Sequence, residues 1–113
     1  TASIYQVDLA TGHREVFSSD TVGEGPTLGE VTQIRLDAFR NKLVVQSYSI
    51  SGAQPMVYVD LETGDRTYRE SRNVNTSQRA GVDPKTGFTY MTDYNGTVQV
   101  YDYESRQALI LSQ

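Results

Sequence analysis

Val57-Tyr58-Val59-Asp60-Leu61-Glu62-Thr63-Gly64-Asp65-Arg66 runs through β-favouring residues to an aspartate, closes on a glycine, and then turns polar. Branched and aromatic side chains suit a pleated, part-buried surface. The glycine supplies the left-handed backbone that a tight hairpin needs. The phrase therefore reads strand, turn, strand. It recurs as Ile4-Tyr5-Gln6-Val7-Asp8-Leu9-Ala10-Thr11-Gly12-His13-Arg14 and as Val98-Gln99-Val100-Tyr101-Asp102-Tyr103-Glu104-Ser105-Arg106-Gln107. The three aspartates are 52 and 42 residues apart. A supersecondary unit recurring every 40 to 50 residues or so marks an array in which each unit buries its faces against its neighbours.

A second phrase repeats between the copies of the first. Ile34-Arg35-Leu36-Asp37, a short connection, then Leu43-Val44-Val45 is echoed by Ala80-Gly81-Val82-Asp83, a connection, then Phe88-Thr89-Tyr90-Met91, with 46 residues between the aspartates. Together the phrases give four short strands per unit, predicted at 4–9, 14–18, 32–36, 43–48, 56–61, 66–70, 79–82, 89–92, 97–103 and 108–111. Asn95-Gly96 is a strong hairpin signal, and Asp83-Pro84-Lys85-Thr86-Gly87 is a proline-initiated turn. Four antiparallel strands in a meander make the blade of a β-propeller. The expected fold is all-β, a single β-propeller segment over residues 1–113: blades at 31–70 and 78–111, with 4–17 as the outer half of a preceding blade. Closed propellers have roughly four to eight blades, and these residues make about two and a half. Copies of the chain do not close by simple addition, because nothing in it supplies inner strands for 4–17. The reading is of a piece of a larger fan or of an open sheet assembly, with a compact β-sandwich as the competing architecture.

Composition narrows the function classes. At 113 residues the chain is long enough to bury a core. Its eight tyrosines against three phenylalanines suit strands with one wet face. The net charge of -4, with basic residues scattered among acidic ones, offers no stripe to track a phosphate backbone, so nucleic acid is not an expected partner. No apolar run is long enough to cross a bilayer as a helix, and no membrane span is expected. Without cysteine there is no disulfide, thiolate zinc site or thiol nucleophile.

The run Val59-Asp60-Leu61-Glu62-Thr63-Gly64-Asp65-Arg66, its partner Val7-Asp8-Leu9-Ala10-Thr11-Gly12-His13-Arg14, and Gly23-Glu24-Gly25-Pro26 ahead of Ile34-Arg35-Leu36-Asp37 resemble bacterial six-bladed propellers of the NHL-repeat, YVTN and SMP-30/gluconolactonase-like group. In that group a phrase of this type joins the two outer strands of a blade. The resemblance covers most of the chain but consists of scaffold residues. Its lactonase-like members imply a divalent metal, such as Ca2+, held over the central channel by Glu, Asn and Asp from several blades. No ligand set of this chain matches that cage residue by residue, so no metal or other cofactor is expected of these residues themselves.

The chemistry-bearing residues mostly have structural explanations. His13, the only histidine, sits in a turn whose counterparts are Asp65 and Gln107, a variable position. Asp8, Asp37, Asp60, Asp83 and Asp102 end strands just before turns, where an aspartate accepts hydrogen bonds from turn amides. Ser18-Ser19-Asp20-Thr21 and Ser47-Tyr48-Ser49 lack a nucleophile elbow and a neighbouring base. Gly23-Glu24-Gly25 lacks the helix and Gly-Lys-Ser/Thr of a phosphate loop, and reads as a flexible connection between blades. No catalytic residue is expected. Propeller topology gathers the loops 18–30, 48–55, 71–78 and 93–96 on one rim, and loops on a rigid scaffold are where binding residues concentrate. The candidate binding residues are Glu24, Glu30, Tyr48, Arg72 and Asn73, with Asn75, Arg79, Asp93, Tyr94 and Asn95. Tyr, Asn and Arg suit recognition of a protein, peptide or carbohydrate. Expected partners are the remaining blades of a parent propeller or another chain pairing at open sheet edges. A non-enzymatic binding scaffold is thus the first functional reading, and part of a metal-dependent lactonase-like hydrolase the second.

Overall fold

A computed structural model describes residues 2–48, 56–69, 79–92 and 96–112 of the chain. Ten strands occupy it: β1 (Ile4–Val7), β2 (Arg14–Ser18), β3 (Glu30–Asp37), β4 (Lys42–Tyr48), β5 (Met56–Asp60), β6 (Arg66–Arg69), β7 (Arg79–Val82), β8 (Thr89–Thr92), β9 (Val98–Asp102) and β10 (Gln107–Ser112). Each expected strand is present, with ends within two residues of the sequence reading. There is no helix among the described residues. The protein is all-β. β1 and β2 form a two-stranded sheet, β3 to β6 a four-stranded sheet in chain order, and β7 to β10 another. All pairings are antiparallel.

One turn, used five times, sets the hairpin geometry. The Asp8 carboxylate accepts from the Ala10 amide at 2.8 Å, Asp60 from Glu62 at 2.8 Å, Asp83 from Lys85 at 2.9 Å, Asp102 from Glu104 at 3.3 Å and Asp37 from Arg40 at 3.1 Å. Four residues after each aspartate the backbone is left-handed. Glycine fills that place at 12, 64 and 87, with φ near 75°, whereas Asn41 (φ 55°) and Arg106 (φ 61°) fill it elsewhere. In the three glycine turns the hydroxyl of the preceding threonine accepts from the amide just ahead of the next strand: Thr11 from His13, Thr63 from Asp65 and Thr86 from Phe88.

The sheets stack face to face, and the central one is buried on both sides. From β4 and β5, Val44, Met56 and Tyr58 pack with Ala80, Met91, Tyr101 and Ala108 of the third sheet. The alternate residues Val45, Val57 and Val59 pack with Leu28, against which Ala2, Ile4, Phe17, Val31 and Leu43 are seated. Burial on both faces is why β5 reads as a continuous apolar run rather than an alternating one. Each such side chain contributes about 1.5–3 kcal/mol relative to exposure. Across the same junction β3 lies beside β7. Gln33 Oε1 accepts from the Ala80 amide at 2.9 Å, and Arg35 Nε donates to the Ala80 carbonyl at 3.2 Å.

The second junction also carries a polar staple. Tyr103 meets Tyr58 edge-on, with ring centroids 4.6 Å apart. The guanidinium carbons of Arg40 and Arg69 lie 4.5 and 4.3 Å from the Tyr103 ring centroid. Arg40 Nη1 donates to the wholly buried Asp37 carboxylate at 3.0 Å and to the Gly87 carbonyl of the next sheet at 2.7 Å. The charged turn of one sheet is thus hydrogen-bonded to the turn of its neighbour, which keeps a buried carboxylate paired as burial demands.

Candidate functional site

The segment between β2 and β3 shapes a concave surface at the start of β3. Ser19 caps its first turn, its hydroxyl accepting from the amides of Thr21 and Val22 at 3.2 and 3.1 Å. The chain then folds onto the β5–β6 hairpin, where Arg66 holds it. Arg66 Nε donates to the Pro26 carbonyl at 2.6 Å, Nη1 to the Val22 carbonyl at 2.9 Å and to Ser18 Oγ at 2.8 Å, and Nη2 to the Gly25 carbonyl at 3.2 Å. Ser18 Oγ donates in turn to the Gly64 carbonyl at 2.7 Å. The Arg66 amide donates to the Glu24 carbonyl at 2.6 Å, and the Glu24 amide to Asp65 Oδ1 at 2.9 Å. Gly23 and Gly25 have positive φ, and a Cβ on either would collide with the carbonyl of Gly64 or Arg66. The Gly23-Glu24-Gly25 connection, expected to be flexible, is instead clamped: its glycines permit the close backbone approach, and a buried guanidinium takes up its carbonyls.

Beyond the clamp the segment returns to the start of β3 and lines a groove of about 640 Å³ with Ala2, Asp20, Thr27, Gly29, Glu30 and Val31. Its lining mixes acidic Asp20 and Glu30 and the hydroxyl-bearing Thr27 with apolar Ala2 and Val31. A few polar groups set in a partly apolar hollow are the usual make-up of a recognition surface.

Of the candidate binding residues, Glu30 lines this groove. The Tyr48 backbone, at the end of β4, pairs with Glu30 beside it. Glu24 lies elsewhere: Asp65 and Arg66 hold it at the Asp60 turn, the opposite end of the central sheet from Glu30, since Asp37 pairs with Lys42 and Lys42 with Asp60. The Arg79 backbone pairs with Thr92 in the third sheet. Arg72, Asn73, Asn75, Asp93, Tyr94 and Asn95 lie outside the described residues. Sequence reasoning did not single out Asp20 or the clamp. The clue to the clamp was the repeated Gly-x-Arg at 12–14 and 64–66, where an arginine opens an outer strand.

His13 Nε2 and Glu15 Oε1 are 3.2 Å apart, both exposed, beside a shallow hollow of about 250 Å³. Backbone amides hold Asp60 below its ordinary value, that of Glu62 foremost. Hydrogen bonding by Ser105, foremost, does the same for Asp102. Burial pushes the Tyr58 and Tyr101 phenols up, so both stay neutral in the core. Among the described residues no three His, Cys, Asp or Glu side chains stand together as a metal cage.

Comparison with protein-family models found no match, and comparisons with curated proteins and with solved structures found none either.

Proposed function

We propose that the chain is a non-enzymatic binding module of the β-propeller kind, whose loops at the head of β3 recognise a peptide or protein segment, or a carbohydrate. The observation that carries this reading is the groove lined by Asp20, Thr27, Gly29 and Glu30, set on a sheet held rigid by packing on both faces. Rigid sheets under irregular loops are the usual division between scaffold and recognition surface. Its two carboxylates favour a ligand with cationic or hydroxyl donors. The propeller and its NHL and SMP-30-like affinity belong to the same proposal, supported by the repeated meanders and the residues that carry the resemblance. The second reading is part of a lactonase-like hydrolase, whose divalent metal would be held by Glu, Asn and Asp from several blades.

Amide chemical-shift titration with a lysine-rich decapeptide, and separately with a neutral trisaccharide, tests the reading. Asp20, Thr27, Gly29 and Glu30 should shift with one of the probes, and Glu30→Gln should weaken that binding several-fold. Silence at these amides with both probes at millimolar concentration would remove the proposal.

A further inference from the structure

The internal repeat gives each of the two outer faces of the stack a counterpart inside it. Superposing the turns on Asp8 and Asp60 places Tyr5 and Val7 of β1 where β5 has Val57 and Val59. Val57 and Val59 are buried in the core between the first and second sheets. Tyr5 and Val7 are 57% and 47% exposed, and Val16, opposite Tyr5 on β2, completes the same uncovered face. Arg14, opposite Val7, stands where the second sheet has the clamp arginine Arg66.

The far end of the stack carries the other half of that contact. By the same turns, Tyr90 corresponds to Val44 and Val100 to Tyr58. Val44 and Tyr58 are fully buried against the third sheet. Tyr90, Val100 and Leu109 instead form a cross-strand row on an open face, with Leu109 67% exposed. Phe88, Val100 and Leu109 line a concavity of about 350 Å³ there. Isolated exposed apolar residues are ordinary, but two contiguous apolar sheet faces on one small chain mark interaction surfaces.

Each molecule therefore presents both halves of a sheet-on-sheet contact that it already makes twice internally. We infer that these faces bind a second copy of the chain head to tail, with Tyr90, Val100 and Leu109 of one copy packing on Tyr5, Val7 and Val16 of the next. Such a contact is heterologous, so it propagates instead of stopping at a symmetric pair. It continues the internal stacking of sheets and does not depend on what the β3 groove recognises.

Sedimentation velocity on the purified chain, with Val7→Glu and Leu109→Glu variants, tests the inference. Both positions are exposed, so each variant should fold, and circular dichroism verifies this. The parent chain should grow beyond dimers at concentrations on the order of 100 µM, an affinity usual for small interfaces. Each variant alone should stay at the 12.6 kDa of one chain. Because the variants damage opposite faces, their mixture should assemble and stop at two copies. Leu9→Glu, at a fully exposed turn position off both faces, should assemble like the parent. A parent chain that remains monomeric at these concentrations, assembly that survives either face variant, or a mixture that does not pair would each overturn the inference.

Discussion

At the residue scale, an aspartate and a left-handed backbone four residues later form one hairpin device used five times. The aspartate satisfies amides that the turn would otherwise leave unpaired, and glycine relieves the left-handed strain. Arg106 lacks that relief. Left-handed backbone costs a non-glycine residue roughly 1–2 kcal/mol, which exceeds glycine's added chain entropy. Arg106→Gly should therefore stabilise the fold by roughly 0.5–1 kcal/mol in urea denaturation. A loss of stability would show that the Arg106 side chain outweighs its backbone strain. The aspartates also set an acid response. The Asp60 carboxyl is lowered first by the Glu62 amide, and that of Asp102 first by Ser105. A depressed folded-state value stabilises above the unfolded-state value and is lost as pH falls through the folded one. The urea midpoint should accordingly decline below about pH 4. Replacing both residues with asparagine should flatten that decline, and an unchanged slope would assign it to other carboxylates.

At the scale of elements, one side chain, Arg66, makes most of the hydrogen bonds that hold the segment between β2 and β3 to the β5–β6 hairpin. Arg66→Met removes the donors to Ser18, Val22, Gly25 and Pro26 together. Losing these four buried and part-buried hydrogen bonds together should cost about 3 kcal/mol, and amide exchange of residues 22–26 should quicken. Arg14→Met, at the exposed counterpart, should cost less than about 0.5 kcal/mol. Equal effects of the two substitutions would contradict the clamp. This contrast also marks what the sequence could show. Strand positions were legible because apolar runs, turn aspartates and glycines are local signals, repeated. The clamp was not, because Arg66 and its acceptors are some 40 residues apart, joined only by the packing of one hairpin on a distant segment. For the same reason Glu24 and Glu30 read as neighbours on one rim, whereas the Arg66 amide and the Asp65 carboxylate draw Glu24 to the opposite end of the sheet.

At the scale of the whole molecule, the fold is a stack of antiparallel sheets in which the central one is buried on both faces. The runs Val57-Tyr58-Val59 and Val44-Val45 read in the sequence as part-buried strands, and cover on both faces is what the packing of sheets distant in the chain adds. The groove was less legible, because Asp20 in the loop and Glu30 at the head of β3 meet only once the segment between them has folded. The stack depends most on the face between the second and third sheets, where the Tyr58 and Tyr103 rings lie 4.6 Å apart. Nuclear Overhauser spectroscopy on the labelled chain tests it directly. Cross-peaks between the ring protons of Tyr58 and Tyr103, accompanied by contacts from Tyr58 and Tyr101 to the Met91 methyl, are the predicted result. Their absence, with backbone cross-peaks joining β1 to β5 as neighbours in one sheet, would contradict it.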